Sequence, residues 1–153
     1  MKDTMKLKGK EIFDYLTPKQ VEKISNSAVI IQCKAGEPVY ERGEKATHFF
    51  IVLKGKVSLV YPVKKGMNVT IDELTAGNMF GLSSFFEMDH HYYLSAQCLE
   101  DSEILKIKFE TLKRLMEEEL LLGYMLQTKI SEVYFKRYIN AMKNLKAVVL
   151  EYK

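Results

Sequence analysis

The 153-residue sequence predicts a mainly β domain with flanking helices, and three observations carry this prediction. Six of the eight glycines lie between residues 36 and 81, at intervals of four to twelve residues, which is the spacing of turns between short strands. The runs between these glycines are rich in β-branched and aromatic residues, which favour strands. Residues 111–153 contain no proline and one glycine, and their apolar residues recur every three or four positions, as in helices.

The first predicted element is a short helix, because Thr17, Pro18 and Gln20 form an N-capping sequence. Thr17 accepts from the first-turn amides, Pro18 takes the first helical position and Gln20 reaches back. The helix is expected to end near Ser25. Strands are then predicted at residues 28–31, 48–53, 56–61, 69–74 and 104–109.

The C-terminal part reads as a short helix followed by a long one over about residues 120–150. At 1.5 Å per residue the long helix spans roughly 45 Å, which is longer than a jelly roll of this size can cover. The chain therefore divides into an N-terminal helical segment at residues 1–26, a β domain at 27–110 and C-terminal helices at 111–153.

The long helix carries two apolar stripes, and one domain offers only one face to cover them. The first stripe consists of Leu126, Ile130, Tyr134, Tyr138, Ala141, Leu145 and Val148, and the second of Thr128, Phe135, Ile139, Met142 and Val149. We therefore predict a homodimer through this helix, with an interface formed by Ile130, Tyr134, Tyr138, Ala141 and Leu145. Ile130→Glu or Tyr138→Glu is expected to release folded monomers. The alternative is a single broad stripe that packs on the helix's own domain.

Charge and composition describe an ordinary globular domain and name no partner. The 23 Lys and Arg residues against 20 Asp and Glu residues leave a net charge of +3, which is too balanced to predict a nucleic-acid surface. Cys33 and Cys98 lie far apart and form no C-x-x-C motif, which argues against a secreted disulfide scaffold. The sequence has no signal-peptide h-region and no apolar run of membrane length. We expect a cytoplasmic protein that does not enter membranes.

No arrangement of residues predicts catalysis or a metal site. Asp89, His90 and His91 suggest metal ligands, but adjacent histidines on an extended chain point to opposite sides, so exposed loop residues are expected. His48 opens an apolar strand, and a single axial histidine suffices for haem, which is the one cofactor alternative. Neither a phosphate-binding loop motif nor a G-x-S-x-G motif occurs. A cupin-like metal enzyme needs a histidine cluster, and the chain has three histidines.

The clearest sequence signal is the segment Gly77-Asn-Met-Phe-Gly81. It follows the turn Lys34-Ala-Gly-Glu-Pro-Val39 and the hairpin Leu53-Lys-Gly-Lys-Val57, and it precedes Leu99-Glu-Asp101. In this order and spacing, the motifs closely resemble the cyclic-nucleotide-binding domain of the catabolite-activator (CRP/FNR) superfamily of transcription regulators, over about residues 10–150. The resemblance implies a double-stranded β-helix jelly roll, a long C-terminal dimerisation helix, and a sensor role in transcriptional or signalling control.

The resemblance also implies where a ligand binds. In that family the backbone after Phe-Gly points N–H groups at a cyclic phosphate, a glutamate takes the ribose hydroxyl, and an arginine pairs with the phosphate. Aligning Gly81 without gaps puts Leu82 at the glutamate position and Tyr92 at the arginine position. Because both groups are missing, tight binding of cyclic AMP is not expected.

Other members of the superfamily use this pocket for haem, phenolic compounds or metabolites, or for no ligand. A replacement site for a small-molecule effector is predicted to be lined by Gly81, Leu82, Ser83, Ser84, Tyr92 and Tyr93, with Phe135 or Lys136 of the long helix above it. The alternative is a purely structural dimerisation domain in which these side chains fill a vestigial pocket. Regulators of the family continue into a helix-turn-helix, and this chain stops at Lys153, so we expect no DNA binding by the chain alone, and DNA binding only if the sequence lacks a C-terminal module.

Overall fold

Two four-stranded antiparallel sheets face each other, and helices cover one of them. The computed structural model describes residue 14, residues 16–85 and residues 90–151. The elements are α1 (Pro18–Ser27), β1 (Ala28–Cys33), β2 (Pro38–Tyr40), β3 (His48–Lys54), β4 (Val57–Lys64), β5 (Met67–Leu74), β6 (Met79–Phe80), a 3-10 turn (Leu82–Phe85), β7 (Ser95–Cys98), β8 (Ser102–Lys108), α2 (Phe109–Glu118) and α3 (Leu120–Glu151). One sheet has the order β1-β8-β3-β6 and the other β2-β7-β4-β5. The predicted mainly β jelly roll with flanking helices is confirmed.

The five predicted strands are present as β1, β3, β4, β5 and β8. Three further strands were not predicted, for physical reasons that differ. β2 has three residues and β6 has two, which is too short for an alternating pattern to show. β7 reads Ser-Ala-Gln-Cys and lacks the β-branched and aromatic residues that mark strands.

Helix α1 begins as the sequence predicts. The backbone N–H of Gln20 donates to Thr17 Oγ1 at 3.2 Å, and the backbone N–H of Thr17 donates to Gln20 Oε1 at 2.9 Å. This reciprocal pair satisfies two amides that a helix N-terminus otherwise leaves unpaired. The predicted capping box is therefore confirmed, and α1 continues two residues beyond the predicted end, to Ser27.

Strand β3 is apolar on both faces because it separates two cores. Phe49 and Ile51 pack with the helices, in a cluster that also holds Leu112 and Ile130. Phe50 and Val52 point the other way, into the cluster between the two sheets. Successive side chains of a strand alternate between its faces, so a strand buried on both sides reads as a continuous apolar run.

Helix α3 packs on its own domain along its first half. Leu122, Leu126 and Ile130 belong to the core under the helices, and Ile130 is 1% exposed. Tyr134 is partly buried against the same cluster. The prediction that Ile130 and Tyr134 form a dimer interface is therefore wrong for these two residues, because the domain itself covers that face.

The second half of α3 leaves a different apolar stripe in solvent. Its members repeat at alternating intervals of three and four: Phe135 (64% exposed), Tyr138 (59%), Met142 (51%), Leu145 (62%) and Val149 (51%). We call these five residues the seam. Two of them, Tyr138 and Leu145, were predicted interface residues, whereas Ala141 is half-buried beside the seam. A stripe with this spacing has the heptad pattern by which helices pair.

Although α3 has 32 residues, it is too polar for a bilayer. Among the described residues, none of the helices combines the length and the apolarity that crossing a membrane requires.

The contribution of the turn glycines to stability can be tested at Gly55, which links β3 to β4. Its φ is +102°, and a Cβ there collides with Ser102 Oγ and lies 2.8 Å from the Asp101 carbonyl oxygen. Gly55→Ala is expected to lower the free energy of unfolding by about 3 kcal/mol or more, because left-handed strain and a steric clash add. Gly66→Ala is the matched control, since Gly66 has a φ of +79° with nothing within 4 Å.

For this control we expect a loss of about 1–2 kcal/mol, from the backbone strain alone. Urea unfolding followed by circular dichroism measures both variants. Equal losses in the two variants would mean that the packing of the β3–β4 turn against Ser102 contributes nothing.

Candidate ligand-binding pocket

A cavity of about 230 Å³ lies where the end of β6 and the 3-10 turn meet α3. Its lining is predominantly apolar and aromatic: Tyr40, Leu59, Gly81, Leu82, Ser83, Tyr92, Tyr93, Leu94, Tyr134 and Arg137. Of the described residues that line it, Arg137 alone carries a charge at neutral pH. The site thus combines a concave apolar wall with few polar groups, which is typical of small-molecule pockets.

Five of the residues predicted to line a replacement site do line this cavity: Gly81, Leu82, Ser83, Tyr92 and Tyr93. The side chain of Ser84 lies outside the described part of the chain. The segment after β6 therefore lies in the wall of a cavity, and ligand binding by these residues stays a prediction.

The predicted contribution of α3 is corrected by the structure. Phe135 is 64% exposed on the seam, and Lys136 lines a polar groove beside Asp72 and Asn140. The α3 residues in the cavity wall are Tyr134 and Arg137. Each helical residue rotates by about 100°, so an error of one position turns a side chain away from its site. The spacing of Ile130, a core residue, with positions 134 and 137 is the signal that identifies this face.

Gly81 shapes the floor of the cavity. Its φ is +74°, and a Cβ there lies 2.9 Å from Phe50 Cδ2 and 3.3 Å from Tyr40 Cε2. Glycine tolerates this left-handed backbone and leaves room for the aromatic rings. The chain can therefore turn from β6 into the 3-10 turn directly against the core.

Tyr92 forms part of an aromatic wall. Its ring stacks on Tyr40 with 3.8 Å between centroids, and its hydroxyl donates to the His48 carbonyl oxygen at 2.8 Å. Phe50 and Phe80 pack behind these rings, with 5.2 Å between their own centroids. Tyr92 is thus fixed by stacking and by a hydrogen bond.

Burial keeps the lining phenols protonated. It raises the pKa of Tyr92 to about 12 and that of Tyr134 to about 12, and it raises the pKa of Tyr40 as well. Desolvation disfavours the charged phenolate, so these three hydroxyls are neutral at physiological pH. They contribute no negative charge to the cavity.

Arg137 lies between the cavity and the polar groove over β5. Its Nη2 donates to the Met79 carbonyl oxygen at 2.7 Å, and its Nε donates to Asp72 Oδ2 at 3.4 Å. The guanidinium also lies 5.7 Å from the centroid of the Tyr134 ring. The residue is 8% exposed, so its charge acts where water screens it little.

Ser83 is another polar residue of the cavity wall. Its Oγ is buried, and it has no hydrogen-bond partner in the part of the chain that the structure describes. Buried hydroxyls are nearly always paired, so an unpaired one needs an explanation.

The histidines do not line this cavity. His48 Nδ1 lies 2.8 Å from Thr47 Oγ1, and burial together with Lys106 and Lys108 holds the pKa of His48 below its usual value. His90 is exposed, as expected for a loop, but the same prediction is wrong for His91, which is half-buried and forms an antiparallel bridge with Lys45; Asp89 lies outside the described residues. Within residues 16–85 and 90–151, no three His, Cys, Asp or Glu side chains come together as metal ligands.

The comparisons with known proteins place this architecture in a family. A sequence model of the cyclic nucleotide-binding domain matches residues 30–119, which is more than half of the chain. The chain belongs to the cyclic nucleotide-binding domain family. The cyclic nucleotide-binding domain predicted from Gly77-Asn-Met-Phe-Gly81 is thereby confirmed, and the match spans the cavity wall from Tyr40 to Leu94. Tyr134 and Arg137 lie beyond it.

Solved structures share the fold of this cyclic nucleotide-binding domain. A protein from Geobacter metallireducens GS-15 named for cyclic nucleotide binding is 23% identical, with a TM-score of 0.77 over 90% of this chain and 99% of that one. The sensor domain of the transcriptional regulator DNR from Pseudomonas aeruginosa is 20% identical, with a TM-score of 0.77 over 88% and 90%.

The catabolite activator protein of Thermus thermophilus is 22% identical, with a TM-score of 0.68 over 93% of this chain and 63% of that protein. Among curated proteins, no significant match to the sequence is found.

Proposed function

We propose that this cyclic nucleotide-binding domain is a dimeric sensor module, without catalytic activity, that responds to a small molecule other than a cyclic nucleotide in transcriptional or signalling control. The observation that carries the proposal is the cavity of about 230 Å³ at the position expected for the family's ligand. The cavity keeps the glycine turn at Gly81, and it lacks both side chains that grip a cyclic nucleotide.

The two side chains that stand where the family has glutamate and arginine both contribute to the packing of the domain. Leu82 is 1% exposed and belongs to the core under the helices. Tyr92 is held by Tyr40 and by the His48 carbonyl. The Leu82 side chain offers no acceptor to a ribose hydroxyl, and the Tyr92 side chain offers no cation to a phosphate. Each loss costs roughly 1–3 kcal/mol of binding free energy.

The second candidate function is a structural dimerisation domain, which the exposed seam also favours. Its pocket should be filled by side chains. A cavity of about 230 Å³ exceeds the roughly 150 Å³ that suffices for a benzene-sized guest, and this supports a sensor.

A fragment screen by ligand-observed NMR tests the proposal. Small fragments of neutral, anionic and cationic type are expected to bind with dissociation constants in the range of about 10 µM to 1 mM. Leu94→Phe adds volume to the cavity wall and should abolish this binding. Leu99→Phe is the matched control, since Leu99 is 47% exposed and does not line the cavity. Absence of any bound fragment in the folded protein would leave the structural alternative.

Cyclic nucleotides provide a separate prediction. Isothermal titration with cyclic AMP and with cyclic GMP is expected to give no saturable heat at micromolar concentrations, because position 82 is leucine and position 92 is tyrosine. Circular dichroism of the same sample controls for folding. A submicromolar dissociation constant would contradict the prediction and would assign the contact to the turn amides with Ser83.

A further inference from the structure

We propose that the cavity recognises a small monocarboxylate with one ring or a short apolar chain, whose carboxylate binds Arg137 and Ser83. This inference rests on the proposed sensor function and adds the chemical class of the ligand. The apolar body of the ligand packs between Leu59, Leu82 and Leu94, which all line the same cavity.

The volume of the cavity limits the size of the guest. Since a cavity of roughly 150 Å³ accepts benzene, one of about 230 Å³ accepts roughly ten non-hydrogen atoms. A cyclic nucleotide has about twice that number. The cavity therefore fits a single ring with a small substituent.

The charge of the lining selects the substituent. Arg137 supplies a positive charge, and the neighbouring tyrosines are neutral because burial raises their pKa values. No carboxylate stands among the described residues of the lining. A monoanion is therefore preferred to a neutral or cationic group of the same size.

Arg137 retains hydrogen-bonding capacity for that anion. Of its five N–H donors, one is given to the Met79 carbonyl and one to Asp72, and the Asp72 bond is long, at 3.4 Å. The remaining donors have no partner among the described side chains and backbone groups. A planar carboxylate matches the fork that they form.

Ser83 gives independent support. Ser83 lines the same cavity, and its buried Oγ has no hydrogen-bond partner among the described residues, so an acceptor on a ligand that reaches it restores the missing bond. Two adjustable donors, one of them charged, suit a carboxylate better than a phosphate. A phosphate dianion needs more donors than this largely apolar wall offers.

The test uses benzoate and benzamide, which have the same shape and differ in charge. We expect benzoate to bind at least tenfold more tightly than benzamide, measured by NMR titration of the protein. Arg137→Met should remove this preference, and Ser83→Ala should weaken benzoate binding about threefold to tenfold. Lys136→Met is the matched control, because Lys136 is exposed and lines the groove outside the cavity.

A variant that binds benzoate more tightly tests the inference even if Arg137→Met disturbs folding. Asp72→Asn removes the carboxylate that competes for the guanidinium, while Asn140 can still bond at position 72. Benzoate should then bind about threefold to tenfold more tightly than to the unsubstituted protein.

The outcomes separate the two proposals. If benzamide binds as tightly as benzoate, or if Arg137→Met keeps the preference, the ligand class is wrong and the sensor function stands. If no fragment of any charge binds in the cavity, both proposals are overturned. Tighter binding of benzoate that Lys136→Met reduces as much as Arg137→Met would place the anion in the groove and would overturn the inference as well.

Discussion

Phe135→Glu is expected to convert a dimer into folded monomers and to raise the dimer dissociation constant at least 100-fold. The seam residues Phe135, Tyr138 and Leu145 are more than half exposed in one copy, and they repeat as heptad positions do. A two-fold dimer carries the substituted carboxylate twice, and both copies are buried at the interface without a partner. A cost of roughly 3 kcal/mol or more per dimer corresponds to that factor.

Analytical ultracentrifugation from 1 µM to 100 µM, as an approximate range, measures the association. Ala147→Glu adds the same charge at an exposed position of α3 outside the seam, and it should leave the dimer intact. Circular dichroism should show the same sheet signal in both variants. If the unsubstituted protein is monomeric at tens of micromolar, the seam does not pair two chains, and the proposal of a dimeric sensor is wrong.

Position 130 distinguishes the seam from the buried face. The sequence-based expectation that Ile130→Glu releases folded monomers does not survive the structure, because Ile130 is 1% exposed within its own domain. A glutamate there meets the core around Phe49 and Ile51. Ile130→Glu should therefore unfold the domain, whereas Tyr138→Glu should dissociate the dimer into folded monomers.

Leu82→Glu is expected to lower the free energy of unfolding by at least about 3 kcal/mol. The substitution restores the residue type that the family uses for the ribose, yet Leu82 packs with Phe49, Ile51 and Met79 in the core. A carboxylate that takes the place of Leu82 in this cluster leaves water among apolar side chains, which offer it no hydrogen bond. Restoring the family's glutamate should therefore lower the free energy of unfolding, whatever it does to the affinity for a ligand.

Urea unfolding measures this loss. Leu82→Met, which keeps the volume and the apolar surface, is the matched control and should cost less than about 1.5 kcal/mol. A Leu82→Glu protein as stable as the Leu82→Met protein would mean that the side chain reaches solvent through the cavity. That outcome would also make the double substitution with Tyr92→Arg a sensible route to cyclic nucleotide binding.

The sequence predicted those elements whose signals are local. The capping box at Thr17 and the turn glycines are set by backbone chemistry within a few residues, and both are present. The pocket segment at Gly81 followed from motif order. The short strands β2 and β6 carry too few residues to show a period. Their pairing partners lie far along the chain, so no local signal marks them either.

The face that α3 presents could not be predicted from periodicity alone. Both stripes are apolar, and only the position of the domain decides which one is buried. The sequence therefore assigned Phe135 and Lys136 to the pocket, whereas the structure places Tyr134 and Arg137 there. Arg137 was missed because a charged residue gives no apolar signal, although its side chain is largely buried.

Helix α3 is continuous from Leu120 to Glu151, so a tilt at one point moves the whole helix. A tilt about the core around Ile130 moves Arg137, beside the cavity, and the seam together, because both lie on the same side of that core. From Ile130 to Val149 the helix runs about 28 Å, so a tilt of about 5° displaces its far end by about 2.5 Å. That displacement is nearly half the 5.4 Å pitch of an α-helix, enough to disengage one side chain from its partner across a paired helix.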